Sequence, residues 1–215
     1  KALGDLGVDS PDSIRGMIRL LDDKSTWVRR TALGALSRIA VKSRPEKKIV
    51  TEKLLAGLAD RSPVVRAEAA KALGRSDLPR QEVAERVLAL LSDEDFRPRK
   101  SVVELLGRAR PVRMENVSLL VRALGDEDWD VRAAAAASLG RIGPAASPAA
   151  VPGLVRVAGD RYWRARLNAL KSLCSVVPGS QETLSTLRAA LKDKTGRVRS
   201  VASGLLAAGG RIPDD

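Results

Sequence analysis

The 215-residue sequence predicts an all-α solenoid of about six helix pairs. Two phased series carry that expectation. An Asp is followed six residues later by an Arg at Asp23/Arg29, Asp60/Arg66, Asp93/Arg99, Asp126/Arg132, Asp160/Arg166 and Asp193/Arg199, with Asp-to-Asp steps of 37, 33, 33, 34 and 33 residues. In step with it, Leu36, Leu73, Leu106, Leu139, Leu173 and Leu206 each stand thirteen residues beyond their Asp. Self-similarity at a fixed period of about 20–50 residues marks stacked units that bury each other's apolar faces. Apolar residues recur at helical spacing, and no alternating strand pattern competes with them.

Each unit reads as two helices. The segment before the Asp, here helix A, places Ile14, Met17, Ile18 and Leu21 in the first unit, and Val117, Leu120, Val121 and Leu124 in a later one, along one face. Helix B follows the Asp. Two residues beyond the Asp stand Ser25, Ser62, Asp95, Asp128 and Thr195, side chains able to accept from the orphan amides of a first turn, with Tyr162 the exception. Pro63 suits the first helical position, where an N–H would lack a partner anyway, and Pro98 still falls inside a first turn. Helix B then runs through small apolar residues such as Ala133 to Ala137. It is expected to end near Pro79, Pro111, Gly143-Pro144, Pro178-Gly179 and Gly209-Gly210. The units fall at residues 1–10 (partial), 11–43, 44–78, 79–110, 111–143, 144–178 and 179–212 of a single domain. The longer first step inserts Lys42-Ser-Arg-Pro-Glu-Lys-Lys48, read as a basic solvated loop before helix A.

Composition removes several chemistries. The chain has no His, so it offers no imidazole base, no Ser-His or Cys-His pair and no His metal ligand. Its one Cys, Cys174, sits among apolar neighbours and reads as an inert buried thiol. Neither a metal nor a cofactor is expected, and nearly every Asp and Glu has a repetitive or surface explanation, so the expectation is a protein that is not an enzyme. Five aromatics (Trp27, Phe96, Trp129, Tyr162 and Trp163) are too few for platforms that stack single-stranded bases. Apolar runs stop well short of the roughly 18 residues of a membrane span. Residues 1 to 20 carry Asp5, Asp9, Asp12, Arg15 and Arg19 in place of a secretory core, and a cytoplasmic location is expected.

The unit Asp126-Glu-Asp-Trp-Asp-Val-Arg132-Ala-Ala-Ala-Ala-Ala-Ser-Leu139-Gly-Arg-Ile-Gly143 resembles the short bacterial type of HEAT repeat, the kind also seen in phycobilisome lyase subunits. The resemblance covers nearly the whole chain. It implies a right-handed α-α superhelix of the armadillo-like kind, with helix A convex and helix B concave. It also implies that the Asp and Arg of neighbouring units form a ladder of hydrogen-bonded charge pairs. The family hosts scaffolds, enzyme appendages and a few enzymes, so the likeness is specific for fold and not for function. Its iron hydroxylases need His-Glu pairs that this chain lacks, and the repeats of its DNA glycosylases are less regular. Lys1-Ala2-Leu3-Gly4 matches Lys71-Ala72-Leu73-Gly74, and Leu3 lies one period before Leu36. The chain therefore reads as a fragment of a longer protein, monomeric by itself.

Charge sorts by position in the repeat. The net charge is +12, from 38 Lys+Arg against 26 Asp+Glu. Stretches from three to seventeen residues after each Asp hold 18 basic and 4 acidic residues. Within them Arg38, Arg75, Arg108 and Arg141 recur nine residues after the ladder Arg, and Arg30, Lys71, Lys100 and Lys171 fall on outward helix positions. Two readings stay open for the Arg series: complementing the helix macrodipole in a last turn, or forming an anion-facing stripe interrupted by Glu68 and Glu104. Trp129, Trp163 and Phe96 share one phased site, with Trp27 one place further on, and are read as capping the apolar seam between units. The expected function is a protein-interaction scaffold whose partner has an acidic surface and binds along the helix-B face. The alternative is sequence-independent binding of nucleic acid phosphates by the same basic residues.

Overall fold

The computed structural model describes residues 11–39, 44–75 and 80–210. Every regular element among them is helical: α1 (Pro11–Arg19), α2 (Thr26–Ile39), α3 (Arg44–Gly57), α4 (Pro63–Arg75), α5 (Arg80–Ala89), α6 (Phe96–Leu106), α7 (Met114–Ala123), α8 (Trp129–Ile142), α9 (Val151–Val157), α10 (Trp163–Val176), α11 (Gln181–Ala190) and α12 (Gly196–Ala207). The even-numbered helices each begin three residues after a repeat Asp. They are the helices B of the sequence pattern, and the chain is an α-solenoid in class.

Two compact units divide the chain, Lys1–Val102 and Val103–Asp215. In the first, α2 packs on α1, α3 and α4, and α3 packs on α4. Its core is built from Ile14 and Met17 of α1, Leu33 and Leu36 of α2, Val50 and Leu54 of α3, and Val65 and Leu73 of α4. In the second, α8 packs on α7 and α10, while α10 also meets α9, α11 and α12. A buried cluster of Leu170, Cys174, Leu187, Val198, Ala202 and Leu205 joins the last two helix pairs.

Small residues set how closely successive helices B approach. Ala133, Ala134, Ala135 and Ala136 of α8 are buried, and Ala gives helix without side-chain entropy loss. A Cβ on Gly140 would lie 3.0 Å from the Cα of Ser172 on α10, and one on Gly107 would lie 2.8 Å from the Cα of Ser138 on α8. Both serines are buried, and each hydroxyl donates to a carbonyl of the preceding helix B: Ser172 to Ala136 at 2.8 Å, Ser138 to Val103 at 3.0 Å. A glycine facing a serine at this place is a repeated contact that hydrophobic periodicity does not reveal. Gly143 ends α8 at φ 74 with its N–H on the Leu139 carbonyl, a left-handed turn that disfavours residues with a Cβ.

Two local expectations are corrected. The stretch expected to be a basic loop is helical from Arg44 onward, because Pro45 at the second position of α3 presets a helical φ where its missing N–H costs nothing. The side chain of Thr195 does not cap α12. Asp95 and Asp128 do cap, accepting from the amides of Arg97 and Asp130 at 2.8 Å each. The Lys1–Gly4 match, Lys42, Ser43 and Pro79 lie outside the described residues.

Candidate binding surface

The Asp/Arg series forms bidentate rungs between successive helix pairs, two within each unit. Arg29 donates through Nε and Nη2 to Asp60 at 2.8 Å each, and Arg66 does the same to Asp93 at 2.7 Å. In the second unit Arg132 binds Asp160 at 2.5 and 3.0 Å, and Arg166 binds Asp193 at 2.6 Å through both nitrogens. The third nitrogen of each guanidinium, Nη1, donates to the backbone carbonyl of the Asp in its own unit: Asp23, Asp60, Asp126 and Asp160 respectively. One Arg thus staples its own turn and the next. The Asp also has two tasks, since its Oδ1 accepts the amide two residues on, from Ser25, Ser62, Asp95, Asp128, Tyr162 and Thr195. This Asx turn satisfies an amide at the mouth of every helix B, and the Thr195 hydroxyl accepts from Arg166 at 3.2 Å instead of capping α12.

The rungs set the acid sensitivity of the fold. Burial pushes the Asp60, Asp93 and Asp160 carboxyls up, but hydrogen bonds from Arg29, Arg66 and Arg132, from the backbone amides, and the nearby guanidinium charges outweigh it and hold all three below the usual carboxylate range. The hydrogen bond from Arg166 leads in doing the same for Asp193. Because these folded carboxyls release protons at lower pH than the unfolded chain, whose Asp titrates near ~3.9, their stabilisation is complete above that value. It is lost as pH falls through the folded values. Thermal melts followed by circular dichroism should give a level midpoint from about pH 7 to about pH 5 and a steep fall below about pH 4. A midpoint unchanged to about pH 2.5 would show that the rungs do not stabilise the fold.

The ladder uses charge internally, so the remaining basic residues of helices B define the accessible surface. In the first unit Arg30 and Arg38 of α2 and Lys71 of α4 are exposed. Arg75 is exposed too, but its Nη2 donates to Glu68 at 3.0 Å and to Ser37 of α2 at 3.2 Å. Glu68 therefore neutralises a member of the basic series, and its carboxylate sits 3.4 Å from where a Cβ on Gly34 would stand. Lys100 on α6 is half-buried. In the second unit Arg108, just past α6, Arg141 near the end of α8 and Lys171 of α10 are exposed. Burial pushes the Cys174 thiol up to about 11, leaving it protonated and unreactive at neutral pH.

The aromatics do more than periodicity suggests. Trp163 packs on the cluster joining the last two helix pairs, the seam-capping place expected of it. Trp129 stacks on Tyr162 with ring centroids 5.2 Å apart. Arg164 lies over both Trp129, at 5.8 Å, and Trp163, at 5.3 Å, while Arg197 lies over Trp163 at 5.6 Å. Trp27 of the first unit is 67% exposed.

Stacked helix pairs linked by an Asp/Arg ladder define an α-repeat protein with a polar, guanidinium-rich helix-B surface. The model of HEAT repeats matches residues 51–113, 99–174 and 117–207, and the chain belongs to the HEAT-repeat family. No curated protein matches the sequence. Among solved structures, YibA of Escherichia coli is similar over 95% of this chain and 78% of its own, at 19% identity and a TM-score of 0.70. A designed armadillo repeat protein in complex with the peptide (KR)4 is similar over 91% of this chain and 99% of its own, at 19% identity and a TM-score of 0.60. A second designed armadillo repeat protein shares 20% identity, with a TM-score of 0.56 over 91% of this chain and 99% of its own. At these identities the likeness is one of fold. No helix among the described residues is long and apolar enough to cross a membrane.

Proposed function

We propose that the chain is a non-catalytic interaction module that binds an acidic protein segment on the exposed face of its helices B. The observation that carries this reading is the charge left after the ladder is set aside. Arg30, Arg38, Lys71, Arg141 and Lys171 on these helices and Arg108 just past α6 are exposed to solvent, whereas the ladder Arg are hydrogen-bonded within the fold. Extended repeat surfaces bind by area and by complementary charge, which suits a partner without a deep pocket. The designed armadillo neighbour takes the basic peptide (KR)4. The sign of the helix-B charge here favours the opposite kind of peptide.

Charge reversal tests the reading. Arg108→Glu with Arg141→Glu is expected to weaken capture of an acidic peptide by at least tenfold, roughly 1.4 kcal/mol, without changing the melting temperature. The same pair of changes also addresses phosphate binding. Nucleic acid affinity resting on these residues would fall steeply between about 50 and 200 mM salt. A chain that shifts nucleic acid at low salt and ignores acidic peptide would replace the protein-partner reading with the phosphate one.

A further inference from the structure

In the second unit the starts of α8, α10 and α12 carry a row in which cations and aromatic faces alternate: Trp129, Arg164, Trp163, Arg197. The two guanidiniums are exposed, and among the described residues neither is hydrogen-bonded to protein. Cation–π contacts with Trp129 and Trp163 restrain both side chains, so part of their entropy is spent before any ligand arrives. Both guanidiniums keep N–H edges open to solvent. Those edges match a planar carboxylate bidentately. Arg161 and Lys194, both exposed and each one residue past a ladder Asp, add positive charge beside the row.

We propose that this row is the acidic-peptide contact of the second unit, with Arg164 and Arg197 each gripping one carboxylate. The proposal rests on the protein-partner reading above and names residues outside the basic series that reading uses. Successive packed helices lie about 8–10 Å apart. Extended peptide advances about 3.3 Å per residue, so acidic residues two or three apart in sequence reach both guanidiniums. Two features of the row favour peptide over nucleic acid. Asp130 occupies the corresponding helix position on α8 and ends the positive run, which a phosphate track would continue. The indole faces are taken up by guanidiniums and are not free to stack bases.

The test uses the full chain and a fluorescein-labelled octapeptide of alternating aspartate and glutamate, read by anisotropy, with a single-stranded oligothymidylate of similar charge as the second probe. Arg164→Gln with Arg197→Gln should weaken octapeptide binding at least tenfold, and Trp163→Leu should weaken it by a smaller factor, because the guanidiniums lose their support. The Gln variant should keep a cooperative melt shifted by no more than a few degrees, since both side chains lie at the surface. If the Gln variant binds within twofold of the parent while Arg108→Glu/Arg141→Glu loses affinity, the row is not the contact and the protein-partner reading stands. If the parent ignores the octapeptide, both fall, whether or not it binds the oligothymidylate.

Discussion

Replacing Arg166 with alanine is expected to lower the free energy of unfolding by about 3–5 kcal/mol, the range for breaking a buried ion pair from one side. Arg166 is 5% exposed and serves five acceptors at once: both oxygens of Asp193, the Thr195 hydroxyl and the Asp160 and Arg161 carbonyls. Removing it leaves the Asp193 carboxylate buried without its counter-charge and two backbone carbonyls without that donor. Lysine restores charge but not the fork, because one ammonium cannot present two parallel N–H groups to Asp193 while a third reaches the Asp160 carbonyl. Arg166→Lys should therefore recover only part of the loss. Urea denaturation of the full chain measures both. A loss below about 1 kcal/mol for the alanine variant would place the rung among exposed pairs of little worth.

Leu173→Ala is expected to cost about 2–5 kcal/mol, and Leu206→Ala distinctly less. The two residues hold the same position in the repeat, thirteen beyond Asp160 and Asp193. Leu173 is fully buried between helix pairs of the second unit, whereas Leu206 on α12 is half-buried against the last cluster. Sequence position alone would give them equal weight, while the burial created by stacking separates them. Equal losses in chemical denaturation would contradict the stacking account.

This contrast shows what could be read from sequence. The repeat Asp marks the start of every helix B to the residue, because the Asx turn it makes is a local event. The Asp and Arg positions were legible as a phased series, and their pairing across units as what the family resemblance implies. The second set of bonds, from Nη1 to the backbone, was not, since a carbonyl leaves no mark in the sequence. Thr195 looked like a cap for the same local reason that Asp128 is one, but a long-range bond from Arg166 claims its hydroxyl. Likewise Glu68 stood in the sequence as a break in the basic series, and the fold turns it into the partner of Arg75 two helical turns away. The alternation of Trp129, Arg164, Trp163 and Arg197 joins residues about a repeat apart, and only stacking brings those faces together.

The central claim is that helices B, and not helices A, present the binding surface. A photo-crosslinking residue placed singly at Lys71 or Lys171 on helices B, or at the exposed Ile49 or Val155 on helices A, tests it in the full chain. Crosslinked protein partners should appear from Lys71 and Lys171 and should be competed by an acidic peptide. Crosslinks from Ile49 and Val155 alone would contradict the account.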